Sequence, residues 1–384
     1  MSKDEDQEIL ADGITEDIIT ELSRISAFLV IARNTVFTFK GKSIDVKEIG
    51  RALGVTYVLE GSLRRIGQRL RVTAQLIDTN SGGHIWADKY DRDLAEMFDV
   101  QDEIVRSVVA STQTQVVLHE GRNQPAAPPE FRVWELSKRG FADLYGLTRE
   151  SLARAKQFGQ EIVRLDASNA RGHYLIANAV AHQLLLGDLE STPEAREEAL
   201  REAQEAVQLD RRDEFGLWIL GLILGIIHGR AEQAIAAYEQ ALQVNPNFSL
   251  AYGSLGTTLA LAGRAEASIK HTLTAVRLNP RDPSIFFRYG ALALAHFVNE
   301  DYVQARSWAE QTVARNDYWL GYAVLAASCW QLGDKDGARL AVSELRHRAP
   351  NLTTATFPVP TLKAAPVHQR FRDALIAAGL PKSP

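Results

Sequence analysis

Residues 229–246, GRAEQAIAAYEQALQVNP, return 34 positions later at 263–280 as GRAEASIKHTLTAVRLNP. A period of this length in helix-forming sequence marks a stack of small supersecondary units, because one such unit cannot bury its apolar face alone. Working outward, Leu220-Gly221, Leu255-Gly256 and Tyr289-Gly290 keep the same phase, at spacings of 35 and 34 residues. Tyr252, Leu255, Gly263 and Pro280 come back 70 residues on as Tyr322, Leu325, Gly333 and Pro350. Each marker has a mechanical role. Gly256 and Gly290 on the first helix of a unit, with Ala241 and Ala275 on the second, let two helices approach closely. Gly263 turns the chain between them, and Pro280 cannot continue the helix behind it. Units are expected near 131–167, 170–212, 214–247, 248–281, 283–317 and 318–351. The second holds an insertion after which Thr192 and Pro193 open a helix, with Glu194, Glu197 and Glu198 in its first turns.

This pattern resembles the tetratricopeptide repeat consensus. The resemblance implies a helical solenoid whose first helices line a concave face that receives a protein or peptide partner. Spacing of other domains is the plainer alternative. In register, the face takes Leu250, Gly253, Thr257 and Leu261 from one unit, Ser284, Phe287, Ala291 and Leu294 from the next, and Leu320, Ala323, Ala327 and Trp330 from a later one. Leu250, Thr257, Leu261, Phe287, Leu294, Leu320 and Trp330 are the candidate partner-binding residues. A basic clamp for a peptide carboxylate would need Lys, Arg or Asn, which this register does not supply. The expected occupant is an apolar helix or extended segment, among them the chain's own C-terminal helix near 369–378.

Ahead of the repeats the periodicity changes. Ile14, Ile18, Leu22 and Ile25 fall on one helical face, Phe28 to Ala32 reads as a short buried strand, and Asp45 caps a helix that Gly54 ends. Alternation then takes over: Val55, Tyr57, Leu59, Gly61 and Leu63 share one face, and Leu70, Val72, Ala74 and Leu76 repeat it after a turn at Gly67-Gln68. A third strand at 84–90 and a helix from about 93 to 118 complete an α+β domain with a mixed sheet. The expected organisation is a domain at 1–120, a linker at 121–130, a repeat array at 131–351 and a tail at 352–384 with a short helix.

The stretches ADGITEDI (11–18), VIARN (30–34), YVLEGS (57–62) and WADKYDR (86–92) resemble the TolB-amino-terminal-like domain over about residues 9–118. That resemblance implies a sensory or regulatory module of the kind that precedes tetratricopeptide repeats in bacterial class III adenylate or guanylate cyclases and in some winged-helix regulators. It also implies an apolar strand ahead of residue 1, so the sheet is expected to lack one strand and to self-associate through the exposed edge. These residues hold no cyclase catalytic segment and no helix-turn-helix, so neither activity is carried over. The function expected is a non-catalytic interaction and regulatory module; the alternative is the C-terminal regulatory part of such a cyclase or regulator.

Composition agrees with a folded chain and narrows the chemistry. The net charge of −5 provides no broad positive field for nucleic acid. The longest apolar run, 217–227, is too short to cross a bilayer, which needs about 20 residues. Residues 1–10 are acidic and lack a signal-peptide core, so a cytoplasmic placement is expected; a periplasmic one would need an upstream membrane segment. The single cysteine, Cys329, excludes an internal disulfide. Nine scattered histidines form no ligand spacing, and no phosphate loop or nucleophile elbow is present. No catalytic, cofactor-binding or metal-ligating residue is therefore expected. Two features of the first domain remain open. Arg64, Arg65, Arg69 and Arg71 surround one hairpin turn, either as a solvated edge that discourages strand pairing or as a site for an anion or acidic partner. Thr56, Glu60, Ser62, Thr73 and Gln75 form a polar face suited either to a small ligand or to burial under a helix.

Overall fold

The computed structural model describes residues 2–25, 28–42, 44–66, 69–93, 97–122, 132–357, 359, 361–362 and 365–383. Two compact units are present, one running to His119 and one carrying the helical pairs from Glu120 onward.

In the first unit, α1 (Ser2–Ser23), α2 (Arg33–Val36) and α3 (Val46–Leu53) precede three strands, β1 (Tyr57–Ile66), β2 (Arg69–Asp78) and β3 (His84–Asp93), and α4 (Met97–Arg122) follows them. Asp45 caps α3 by accepting from the Lys47 amide at 2.9 Å, and Gly54 ends it in the left-handed region at φ 65°. The strands pair in sequence order. Leu59 faces Leu76 and Leu63 faces Val72, while Val72 and Leu76 face Tyr90 and Trp86 on the other side. One face of β2, from Leu70 to Leu76 by twos, is buried with Ile14, Leu22 and Ile25 and with Ile104, Val105, Val108 and Val109 of α4.

Among the described residues this sheet is antiparallel throughout, not mixed. Phe28–Ala32 joins no ladder. Phe28 and Val30 reach the core cluster, whereas Leu29 stands 95% exposed between them, so the run is buried by alternate side chains without backbone pairing. The expected turn at Gly67-Gln68 and most of the expected linker lie outside the described residues.

The second unit is six antiparallel helical pairs: α5 (Arg132–Leu144) with α6 (Arg149–Leu165), α7 (Ala170–Leu186) with α8 (Pro193–Leu209), α9 (Glu214–Leu222) with α10 (Ala231–Val244), α11 (Ser249–Leu261) with α12 (Ala265–Leu278), α13 (Ile285–Val298) with α14 (Tyr302–Val313), and α15 (Trp319–Gln331) with α16 (Lys335–Arg348). They form a helical solenoid. Between the helices of every pair stands one residue with positive φ: Leu147, Gly187, Gly229, Gly263, Glu300 and Gly333. Four of the six are the glycine that this conformation favours; Leu147 and Glu300 hold it at a cost of about 1–2 kcal/mol.

Close helix approach is uneven along the array. A Cβ on Gly256 would lie 2.0 Å from Thr272 Oγ1, so α12 sits directly against that glycine. At Gly290 the nearest atom would be Tyr318 Cε1 at 3.4 Å, an ordinary contact. The sequence suggested equal roles for these two glycines; only Gly256 is a close-approach point. Past α9 the chain continues through a π-turn, Ile223–Ile227, in which Gly225 fits against Thr258 and Ala234.

After α16 the chain folds back along the repeats and ends in α17 (Gln369–Ala377). Phe357 stacks on Trp319 with ring centroids 5.5 Å apart, and Phe371 meets Phe297 edge-on at 5.5 Å. The Leu261 carbonyl accepts from His368 Nε2 at 2.9 Å, and Thr361 and Val367 lie beside the turns at Gly229 and Gly263. One continuous apolar core runs from Leu136 to Leu380.

Candidate functional site: a cavity on the concave face

The first helices of all six pairs converge on one narrow cavity of about 70 Å³ that opens to solvent. Its walls are aromatic. Phe141 stacks on Tyr174 at 4.9 Å, His182 lies 6.3 Å from Trp218 and 5.7 Å from Phe287, and Phe287 meets Tyr318 edge-on at 4.9 Å. The array curls tightly enough for Trp319 Nε1 to donate to the Leu185 carbonyl at 2.8 Å, so α15 touches α7 across the concave side.

Polar groups in this wall are few and buried. Asn178 Nδ2 donates to the Tyr174 hydroxyl at 2.7 Å, and His182 Nδ1 donates to the Asn178 carbonyl at 3.0 Å. Burial pulls the His182 pKa down to about 4 and pushes that of Tyr174 well up, so both rings are neutral at pH 7. Trp218 Nε1 donates to Ser254 Oγ at 2.9 Å. Arg288 is the one cation among the lining residues; its Nη2 pairs with Asp282 Oδ2 at 3.2 Å, and its Nη1 donates to the Ser284 carbonyl and hydroxyl. Both members of that ion pair are buried, which leaves the wall electrically neutral.

Of the residues expected on the face, Leu250, Thr257, Phe287 and Leu320 line the cavity, as do Gly253 and Ser284. Leu261, Leu294 and Trp330 do not. The C-terminal segment takes the Leu261 carbonyl, Leu294 is fully buried in the continuous core, and the Trp330 ring is covered by Lys335, whose Nζ lies 3.6 Å from its centroid. The face is not one open stripe, because the curl of the array and the returning tail close its far end. Asn178, His182 and Arg288 join the lining although the repeat register did not point to them. Arg288 was legible as a lone cation in the apolar run Ile285–Val298, one turn beyond Ser284. His173, on the same helix as His182, lies outside the cavity lining and meets Glu202 at 2.7 Å.

In the first unit, the Arg71 guanidinium pairs side-on with Asp91, at 2.6 and 3.1 Å, directly opposite in the ladder. That contact holds the Asp91 carboxyl below the usual carboxylate range. Arg64 stands opposite Arg71 on β1; Arg64 and Arg69 are exposed. The side chain of Arg65 lies outside the described residues. On the polar face, the Ser62 and Thr73 hydroxyls meet at 2.7 Å and Gln75 Nε2 donates to Glu60 at 3.3 Å, so these groups satisfy one another across the strands. Among the described residues no cluster of His, Cys, Asp and Glu could hold a metal ion, and no helix is long and apolar enough to cross a membrane.

Residues 217–248 match the family model for the tetratricopeptide repeat. They span α9, the π-turn and α10, the pair at the centre of the array. The chain is also 37% identical over 225 residues to putative adenylate cyclase 3 of Rhizobium meliloti (strain 1021), a stretch that covers 58% of this chain and 38% of that protein. The chain thus accounts for well under half of that relative's length. Similar solved structures include Pseudomonas aeruginosa pilF, at 18% identity and a TM-score of 0.41 over 58% of this chain and 94% of that one. Another is the Cut9–Hcn1 hetero-tetramer of the APC/C, at 15% identity and a TM-score of 0.47 over 73% and 55%.

Proposed function

We propose that this chain is a non-catalytic protein-interaction module whose repeat array, 131–351, takes an apolar, uncharged segment of a partner protein on its concave face. The observation that carries the reading is the neutral, aromatic cavity built from the first helix of every pair. An interaction surface of this kind stabilises a complex mainly by burying a few large apolar anchors. Leu250, Thr257, Phe287 and Leu320 form the contact surface. The first unit, read as TolB-amino-terminal-like, serves as the chain's regulatory element, with the exposed Arg64 and Arg69 as its candidate anion contacts and its sheet edge as the self-association surface.

The test is selection from a random peptide library with the full chain, repeated with Phe287→Glu and Thr257→Arg. Wild type is expected to enrich uncharged apolar segments, and both variants to lose them while keeping the wild-type helix content by circular dichroism at the selection temperature. Enrichment of acidic C-terminal peptides, or enrichment that survives both variants, would contradict it.

A second reading rests on the 37% identity to the putative cyclase: the chain is the regulatory part of a signalling protein in a bacterial cytoplasm, and the partner segment belongs to a nucleotide cyclase. Binding of this chain to such a catalytic domain, measured by calorimetry, supports it; the absence of binding removes it.

A further inference from the structure

The cavity carries more hydrogen-bonding capacity than its own residues use. Asn178 Oδ1 and Arg288 Nε are buried without a partner among the described residues. His182 adds a third group. Its Nδ1 donates to the Asn178 carbonyl, so in the neutral ring Nε2 carries a lone pair, on the side of the imidazole away from that bond. Asn178, His182 and Arg288 are 2%, 7% and 3% exposed, and all three line the same aromatic-walled space. A buried acceptor left unsatisfied destabilises the folded state, and a ligand donor would remove that cost.

We infer that this space is an anchor pocket for one aromatic side chain that carries a hydrogen-bond donor, a tryptophan or tyrosine of the partner segment, with His182 Nε2 as its acceptor. The inference rests on the interaction reading above and specifies the partner's anchor. Charge decides against the other occupants. Arg288 is the one charged side chain among the lining residues and it is paired with the buried Asp282 behind the wall, so a lysine or carboxylate would enter a desolvated site with no net counter-charge. A phenylalanine or leucine would fill the volume and leave Nε2 unpaired. An indole N–H is a donor only, which suits an acceptor-only nitrogen, and a tyrosine O–H can also serve. His182 is then the specificity-determining residue, and the ring contacts with Trp218 and Phe287 fix its plane.

The test titrates the full chain with N-acetyl-tryptophanamide, N-acetyl-tyrosinamide and N-acetyl-phenylalaninamide, followed by saturation-transfer NMR on the ligand signals. The tryptophan and tyrosine amides are expected to bind at least fivefold more tightly than the phenylalanine amide. In His182→Phe that preference is expected to fall to about onefold, with the phenylalanine amide unaffected. Leu340→Glu, on the far side of the last pair, keeps the wild-type preference. Equal binding of the three amides, no binding of any at millimolar concentration, or a preference that survives in His182→Phe would overturn the inference. A peptide selection that yields apolar segments without Trp or Tyr would do the same yet leave the interaction reading standing. Failure of the selection itself removes both.

Discussion

His182 couples the site to stability through a single ring. Its pKa falls from about 6.5 in the unfolded chain to about 4 when buried, so between those values the unfolded chain binds the extra proton. The contribution is therefore fully present above pH 6.5 and is lost as the pH falls toward 4, by roughly 3 kcal/mol. Asp213, buried and raised to about 6, gains stability over the same interval, so the His182 part is read as a difference: between pH 7 and pH 4.5 in urea denaturation, wild type is expected to lose about 2–3 kcal/mol more than His182→Phe. A second residue-scale expectation concerns Glu300, which holds φ at 62° where three other pairs with recognisable markers use glycine. Glu300→Gly removes left-handed strain of about 1–2 kcal/mol against a glycine entropy cost of about 0.5–1, so a net gain near 0.5 kcal/mol is expected in the same measurement. The ion pair of Glu300 with Arg370 is exposed and subtracts little. In sequence Gly229, Gly263 and Gly333 announced these turns, while Leu147 and Glu300 carried no signal, because the backbone conformation is imposed there by the packed helices on either side.

At the scale of elements, Gly256 and Gly290 separate close packing from mere repetition. Gly256→Ala places a methyl group against Thr272 Oγ1 and is expected to cost about 1–3 kcal/mol, as overpacking does. Gly290→Ala meets only ordinary contacts and gains helix propensity of about 0.8–1 kcal/mol, so thermal melting is expected to move in opposite directions for the two variants. Period alone made them equivalent; the element each glycine faces distinguishes them, α12 of the same pair for Gly256 and Tyr318 at the start of the next pair for Gly290. The repeat helices, the caps at Asp45 and Thr192 and the three strands were legible, since each depends on residues within a few positions, while α2, the π-turn and the start of α1 at Ser2 were not. That Phe28–Ala32 stays unpaired was not legible either, because an apolar run states that it is buried and not how. Phe371, fully buried against Phe297 and Phe357, shows what the returning tail contributes. Phe371→Ala is expected to cost about 3–5 kcal/mol and to lower hydrogen-exchange protection in α15, on which α17 packs, before that in α5 and α6.

For the whole molecule, the repeat fixed the class of architecture and the candidate face, and curvature decided how much of that face is available. Leu250, Thr257, Phe287 and Leu320 lie where the period put them, while Leu261 and Leu294 belong to the interior because the chain returns over its own last pairs. Asn178, His182 and Arg288 became visible only when six helices were brought around one space. Hence the chemistry of the candidate site is a property of the stack, although each of its residues was on view in an otherwise apolar helix.

The claim on which everything else depends is that the concave cavity, and not the outer surface, receives the partner. Hydrogen–deuterium exchange of the full chain with and without a library-selected peptide tests it most directly. Protection is expected in 141–147, 174–185, 218–226 and 250–257, with the outer helices α6, α8, α10 and α12 unchanged. Protection confined to those outer helices, or to the first unit, would contradict it.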